Sequence, residues 1–489
     1  MRFVVFFAAG ALMAAGIPRT WDADEVAVLE VPLADPRYSP IHISEQLYYR
    51  LPERTIYKSY PVYHPDREPA GYMDWLKQQE PQVAFDPSAI ESKDDWIRAG
   101  EIVFQSPASF GPVFFGADQV RDREFYRATG TPVGADGVMP FARWVIRKKG
   151  NVELGSMGCA TCHTRILDGG RVVPGAQGNN PGDRQGAWML RHMARAFGEE
   201  KVLEQARRFA LQFEVPWLRN DPNRIARTMS LEQLMAAGEA IPPGVNARAH
   251  TSMIVPPQVP DLIGVAERRY LDHTGLVRQR SIGDLMRYTA LVQDLMGFAR
   301  YGPTPSALQE TSLPKNASRF SDAQLFALAT YLYSLAPPPN PNPFDESAER
   351  GKKVFAAARC AGCHPAPLYT NNKLVAVDGF EPSPADRKRF DVMQRRVGTD
   401  PRYALQSKKG TGYYKVPSLK GVWYRGPLEH NGSVAALEDW FDPARLQPDY
   451  VPTGFNGSAA GRRPVPGHEF GLRLNPSDKR DLIAFLRTL

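Results

Sequence analysis

The pentapeptide Cys-x-x-Cys-His occurs twice, as Cys159-Ala160-Thr161-Cys162-His163 and Cys360-Ala361-Gly362-Cys363-His364, and together the two copies use every cysteine in the chain. Two thiols at this spacing, followed at once by an imidazole, suit one chemistry above others. Each sulfur adds to a vinyl group on one edge of a porphyrin, and the next residue comes to lie under the iron. Three other uses of the cysteines compete. Two disulfides ask for no histidine after either pair. A four-cysteine zinc site usually draws its pairs close together, whereas these begin 201 residues apart. A thioredoxin-like redox motif explains one pair but not two. Histidine is scarce, 9 in 489, so chance placement after both pairs has odds on the order of one in three thousand. The sequence therefore predicts two covalently bound c-type haems. Cys159, Cys162, Cys360 and Cys363 attach them, and His163 and His364 are the proximal iron ligands.

Thioether attachment takes place outside the cytoplasm, and the N-terminus agrees. Arg2 precedes an apolar run from Phe3 to Ala15 that ends in the small residues Ala14, Ala15 and Gly16. The run falls short of the roughly 20 residues that span a bilayer. Residues 1–16 thus read as a signal peptide, and the protein as periplasmic or secreted with no membrane span in the mature chain. Lys and Arg number 60 against 53 Asp and Glu, a formal charge of +7. The basic residues form no dense stripe, which excludes nucleic acid as a partner. A weakly basic surface does suit steering of an acidic redox donor or acceptor protein.

Apolar residues at 43% and charged residues at 23% exclude a wholly disordered chain. The 44 prolines and 40 glycines predict long ordered loops. The run Ala336-Pro337-Pro338-Pro339-Asn340-Pro341-Asn342-Pro343 is a stiff linker over 337–343. It separates a first module, 91–336, from a C-terminal domain, 344–489. Before them, Tyr48, Tyr49, Tyr57, Tyr60 and Tyr63 mark an irregular arm over 17–90. A helix is expected to end each module, capped by Ser321 with Gln324 and by Asn475 with Asp478. Further helices are expected over 185–210 and around Leu285–Leu295. Gly100-Glu101-Ile102-Val103-Phe104 is similar to Gly351-Lys352-Lys353-Val354-Phe355. In cytochrome c folds such a helix crosses the terminal one. The fold class expected is mainly α: two cytochrome-c-like haem modules with long loops. From Phe355 to Cys360 is 5 residues, but from Phe104 to Cys159 is 55. This insertion, with Phe110, Phe114 and Phe115, either walls a pocket at the first haem or elaborates the surface.

The C-terminal domain resembles the di-haem cytochrome c peroxidase superfamily through Lys415-Val416-Pro417-Ser418-Leu419-Lys420, Gly426-Pro427, His430-Asn431-Gly432-Ser433 and Leu437-Glu438. Within it, Pro367-Leu368-Tyr369-Thr370-Asn371-Asn372-Lys373, the wide haem spacing and Pro466-Gly467-His468-Glu469-Phe470 look closest to the rubber oxygenase branch. The resemblance implies His468 as sixth ligand of the second iron, with Met393 as the alternative. It implies His430 as a pocket or interface residue, and it brings calcium into consideration, although no ligand set compels that ion. The first motif departs from the peroxidases. Ile146-Arg147-Lys148-Lys149-Gly150 leads into it, and Asn179 stands where several of them carry a switchable histidine. An open first iron is implied. A peroxidase also needs a distal acid–base group, and the sequence identifies none. The function expected is that of an electron-transferring oxidoreductase, peroxidase-like, with haem 1 as reaction site and haem 2 as electron-transfer site. The alternatives are an oxygenase that splits a small apolar alkene with O2, and a plain di-haem carrier that reacts with neither hydrogen peroxide nor O2.

Overall fold

The structure, a computed structural model, describes residues 16–111, 114–304, 317–457 and 461–489. Apart from Gly16, the expected signal peptide lies outside the described residues. The helices that organise the chain are α1 (Lys93–Gln105), α2 (Gly182–Phe197), α3 (Glu199–Ala210), α4 (Leu231–Glu239), α5 (Ile282–Ala290), α6 (Asp322–Ser334), α7 (Glu346–Ala357) and α8 (Pro476–Arg487). The strands that matter here are β1 (Ser59–Tyr63), β2 (Ser109–Phe110), β3 (Val138–Lys148), β4 (Asn151–Ser156), β5 (Leu374–Ala376), β6 (Val392–Met393) and β7 (Tyr413–Lys415). No helix among the described residues is long and apolar enough to cross a membrane.

Two helix crossings form a structural repeat: α1 packs on α6, and α7 packs on α8. Local sequence fixes where these helices start. Ser92 and Ser321 each accept the N–H three residues on, and Asp95 and Gln324 reciprocate. Asp345 caps α7, and Asn475 caps α8 with Pro476 in its first turn. Each crossing then turns on one glycine. A Cβ built on Gly100 would lie 2.0 Å from the Ala327 carbonyl oxygen, and one on Gly351 would lie 1.9 Å from that of Asp481. Only a residue without a side chain lets the backbones approach so closely. Four residues beyond each glycine a ring closes the contact: Phe104 on Tyr331 and Phe355 on Phe485, both at 5.4 Å between centroids.

The regions around the first motif differ from the plain helical scheme. The insertion folds into an antiparallel sheet of order β1-β3-β4-β2, and its edge strand β1 comes from the arm. Phe115, Phe125, Phe141 and Trp144 bury themselves in its own core. Phe114 reaches out from it to Gly182 and Gly186 of α2, while Phe110 lies under the Arg147 guanidinium at 4.1 Å. The rest of the arm joins the core around α1 and α6, with Trp21 stacked on Tyr48 at 5.1 Å. The helix expected over 185–210 is two helices, α2 and α3, which meet at Gly198 and pack with α4. The C-terminal part also holds a small sheet of order β6-β5-β7. A buried ion pair ties the halves together. Lys409 Nζ lies 2.8 Å from the Asp272 carboxylate, which also accepts the Tyr288 hydroxyl at 2.9 Å.

Candidate haem-binding sites

Two residues separate the end of α7 from Cys360, which opens a single 3-10 turn that ends at Cys363. The turn delivers His364 to the wall of a cavity of about 280 Å³. Both cysteines, Phe355, Leu482 and Leu486 line this cavity, so the helix crossing supplies its apolar side. His364 Nδ1 lies 3.0 Å from the Tyr369 carbonyl. A carbonyl can only accept, so Nδ1 carries the proton and Nε2 keeps its lone pair for a metal. Burial lowers the pKa of this imidazole and so favours the neutral, ligating form.

His468 faces His364 across the cavity, with the ring centroids 6.3 Å apart. Two metal–imidazole bonds of about 2 Å each, plus the half-rings between nitrogen and ring centre, add to roughly this distance. The two histidines therefore fit an iron between them. Burial, and then His364 itself, lower His468 to about 4, and its Nδ1 is buried without a partner. The loop that carries it is pinned by Arg445, which is 1% exposed and donates to the carbonyls of Val465, Gly467 and His468. Trp440 and Phe470 flank the ring at 5.2 and 5.3 Å. Met393 sits on β6 with its sulfur 3.5 Å from Asn371 Nδ2, and it is not among the residues lining the cavity. His430 does line it, buried against Tyr414 at 4.5 Å and paired with Glu429.

The first motif is built differently. Cys159–Cys162 is one helical turn at the end of β4, and the Thr161 hydroxyl donates to the Phe141 carbonyl of β3 at 2.8 Å. The inserted sheet thus holds this motif. His163 Nδ1 lies 2.9 Å from the Pro260 carbonyl, which again leaves Nε2 free to ligate. Burial, with Arg248 nearby, lowers His163 to about 3. The remaining histidines are committed elsewhere. His42 pairs with Glu30 at 2.6 Å and His250 with the Tyr301 hydroxyl at 2.8 Å. His273 donates to the Gln258 carbonyl at 2.7 Å, His192 stacks on Trp188, and His64 meets the Tyr126 ring edge-on. Asn179 is tied to the Ile166 backbone through both ends of its amide. Charged groups act electrostatically on the motif: Arg248 on Cys159, Cys162 and His163, Arg54 on Cys159, Arg268 on His163, and Asp183, the one carboxylate among them, on Cys162. Asp183 is in the first turn of α2 and accepts the Ala247 N–H at 3.2 Å, and burial pushes it up to about 7.

Sequence reasoning reached the four cysteines and His163, His364 and His468. It missed Arg445, Asp183, Arg248 and the carbonyls of Pro260 and Tyr369, because nothing in their local spacing marks them. Among the described residues no group of three or more His, Cys, Asp or Glu is arranged to hold a metal ion such as calcium.

No protein-family model matches the chain. Over 163 residues it is 29% identical to a cytochrome-c peroxidase of Denitromonas iodatirespirans, a match that spans 29% of this chain and 40% of that protein. Two solved structures are distantly similar, each with a TM-score of 0.30. One is hydrazine synthase of Kuenenia stuttgartiensis pressurised with xenon, 16% identical over 58% of this chain and 87% of the other. The second is a MauG-like protein associated with microbial copper homeostasis, 17% identical over 59% of this chain and 87% of the other. At that score neither bears on the argument. The sequence match is a likeness to a cytochrome-c peroxidase over part of each chain.

Proposed function

We propose that this chain is an exported di-haem c-type cytochrome and a peroxidase-like oxidoreductase, with the centre on His163 as reaction site and the centre on His364 and His468 as electron-transfer site. One observation carries the reading. A second imidazole stands opposite His364 at a spacing suited to a shared iron, whereas the other histidines are engaged with Glu30, the Tyr301 hydroxyl, the Gln258 carbonyl, Tyr126, Trp188 and Tyr414. When bound, a haem with an open sixth position supplies an iron that takes peroxide or oxygen, and one with two strong ligands supplies an electron store.

The protein's part is to hold and orient. The four cysteines fix the rings covalently, and the carbonyls of Pro260 and Tyr369 fix the tautomers of the two proximal imidazoles. Arg445 and the Trp440 ring hold His468 in place. Asp183, raised to about 7, keeps or yields a proton near neutral pH next to the first motif, which is the property a distal acid–base group needs. The partial likeness to a cytochrome-c peroxidase favours hydrogen peroxide as oxidant and a reduced cytochrome as donor.

Protein matured in a host competent for thioether attachment tests this. The expected result is two haem equivalents per chain by pyridine haemochrome. Ferric spectra are expected to show one high-spin and one low-spin centre, with peroxide-dependent oxidation of a reduced cytochrome. Two low-spin centres inert to cyanide and carbon monoxide overturn the reading in favour of a carrier. Oxygen uptake on alkenes without peroxide turnover overturns it in favour of an oxygenase.

A further inference from the structure

We infer that Arg268, Lys415 and Arg425 form a dicarboxylate site at one side of the second cavity, which takes the two propionates of the haem held by Cys360 and Cys363. The inference rests on the haem reading of that centre. All three cations line the cavity, and the carboxylates of that lining are too few to balance them. Arg268, 14% exposed at its side chain, donates to the carbonyls of Asp261 and Ile263 and lies 3.9 Å from the Asp261 carboxylate. Asp261 already accepts the Ile263 N–H and the Tyr424 hydroxyl. Arg425 donates Nη2 to the Ser418 carbonyl at 2.7 Å, but its Nε is buried without a partner. Lys415 Nζ finds only the Tyr270 carbonyl, at 3.5 Å. Glu429, the other carboxylate of the lining, is held by His430.

Asp261 is thus the one carboxylate of the lining that faces these three cations, with Asp272 acting on Lys415 from outside it, in a pocket that Phe355, Leu437, Leu482 and Leu486 also line. Buried charge persists only where it is paired. A ligand with an apolar body and two carboxylates on one edge meets both sets of residues. Lys415 shows the unmet demand, for burial and the Arg268 guanidinium push it down to about 7. The placement also joins the two centres. Asp261, whose carbonyl holds Arg268, directly follows Pro260, whose carbonyl holds His163. Arg268 is therefore a positioning residue shared by the anion site and the segment that orients the first proximal ligand.

The test uses the matured holoprotein and reads the reduction potential of the low-spin centre by spectroelectrochemistry, with haem equivalents counted in each variant. Lys415→Met and Arg268→Gln each remove one cation. Each is expected to shift the ferric–ferrous equilibrium about tenfold toward the ferric form, ~59 mV for one electron. Lys415→Arg keeps the charge and is expected to keep the potential. Lys420→Met removes an exposed cation paired with Glu267 and is expected to leave it unchanged. Should Arg268→Gln fail to accumulate, Arg425→Lys takes its place, with a shift in the propionate vibrations of the resonance Raman spectrum as the readout. A potential unmoved in Lys415→Met and Arg268→Gln, with both haems present, overturns the anion site. Absence of any low-spin signal in the wild type overturns instead the haem 2 reading beneath it.

Discussion

The two Cys-x-x-Cys-His segments are the same five-residue device placed in unlike surroundings. At the second, helix, motif and cavity are consecutive in sequence: α7 runs into Cys360, α8 covers the same cavity, and the loop before α8 returns His468 to face His364. At the first, an equivalent pair of helices crosses on Gly100, but a four-stranded sheet intervenes between α1 and Cys159, and the motif hangs from that sheet through Thr161. After it come three helices where the C-terminal part has a compact loop region. The lesson is that the motif fixes the proximal side alone. What stands on the distal side depends on which long-range segment returns there. The second site receives an imidazole, whereas the groups acting on the first include the Arg248 guanidinium and the Asp183 carboxyl.

The largest expected effect breaks that contrast directly. His163→Ala should abolish peroxide turnover while leaving the low-spin centre and its spectrum in place. His468→Ala should do the reverse to the spectra: the low-spin signal is lost, two haem equivalents remain, and turnover falls only as far as electron supply limits it. If His468→Ala leaves the ferric spectrum of the wild type, His468 is no ligand and the asymmetry between the centres disappears.

The next effect asks whether the unlike halves are one folding unit. Asp272 belongs to the segment after the first motif, and Lys409 to the C-terminal part. Lys409→Met leaves a buried carboxylate without its cation, a change that costs about 3–5 kcal/mol, read by denaturant unfolding. The pH dependence has a definite sign. Burial raises Asp272, but the Lys409 ammonium, His273 and the Tyr288 hydroxyl outweigh it, and the carboxyl is held below its usual range. A depressed folded pKa gives stability that is present above the unfolded value of about 4 and is lost as pH falls through the folded one. The wild type should therefore weaken on acidification below about pH 4. In Lys409→Met the Lys409 ammonium is gone while His273 and the Tyr288 hydroxyl remain, so the loss of stability on acidification should be smaller than in the wild type. Unfolding of one half alone, with the other unaffected by the substitution, would show that the pair does not couple them.

The helix crossings sharpen the comparison from the side on which the two centres agree. Gly100→Ala and Gly351→Ala each force a methyl group against a backbone carbonyl 2 Å or less away. Each is expected to cost about 1–3 kcal/mol, the usual penalty of overpacking. Gly351→Ala should also perturb the second centre, since two residues separate its helix from Cys360. Gly100→Ala should spare the first, which the sheet holds. Equal spectral effects would mean that the sheet gives the first motif no independent support.

This division matches what could be read in the sequence. Caps, the Gly-x-x-x-Phe repeat, the linker and the haem motifs are local patterns, and Ser321, Asn475, Gly100 and Gly351 do what those patterns imply. His468 was reached through a family resemblance rather than through spacing. The sheet was not legible because β3 carries nearly continuous apolar residues with Pro140 among them, and its partner β1 lies some 80 residues upstream. Asp183, Arg248 and Arg445 act across long stretches of sequence, and a lone Asp or Arg gives no periodic signal. The break at Gly198 was visible as a glycine, but the apolar spacing on either side of it continued well enough to read as one helix.

The smallest expected effect compares the two caps. Ser321→Ala and Asn475→Ala each delete the side-chain acceptor for an N–H at a helix start, and such changes cost ~1 kcal/mol, within roughly 0.5–2. The two should not be equal. Ser321 works in a reciprocal pair with Gln324, which is 5% exposed and spends its amide N–H on the Arg54 carbonyl. The helix it begins is buried along most of its length, from Leu325 to Leu332. Asn475 is exposed and caps a helix with a solvated face, so water can take over from its Oδ1. Ser321→Ala should therefore lie toward the upper end of the range and Asn475→Ala toward the lower, measured by thermal unfolding of the holoprotein at one pH. A larger loss at Asn475 would mean that the α7–α8 crossing depends on its terminal cap more than on Gly351 and the apolar residues it buries, and the second site would then owe its geometry to the helix end rather than to the packed crossing.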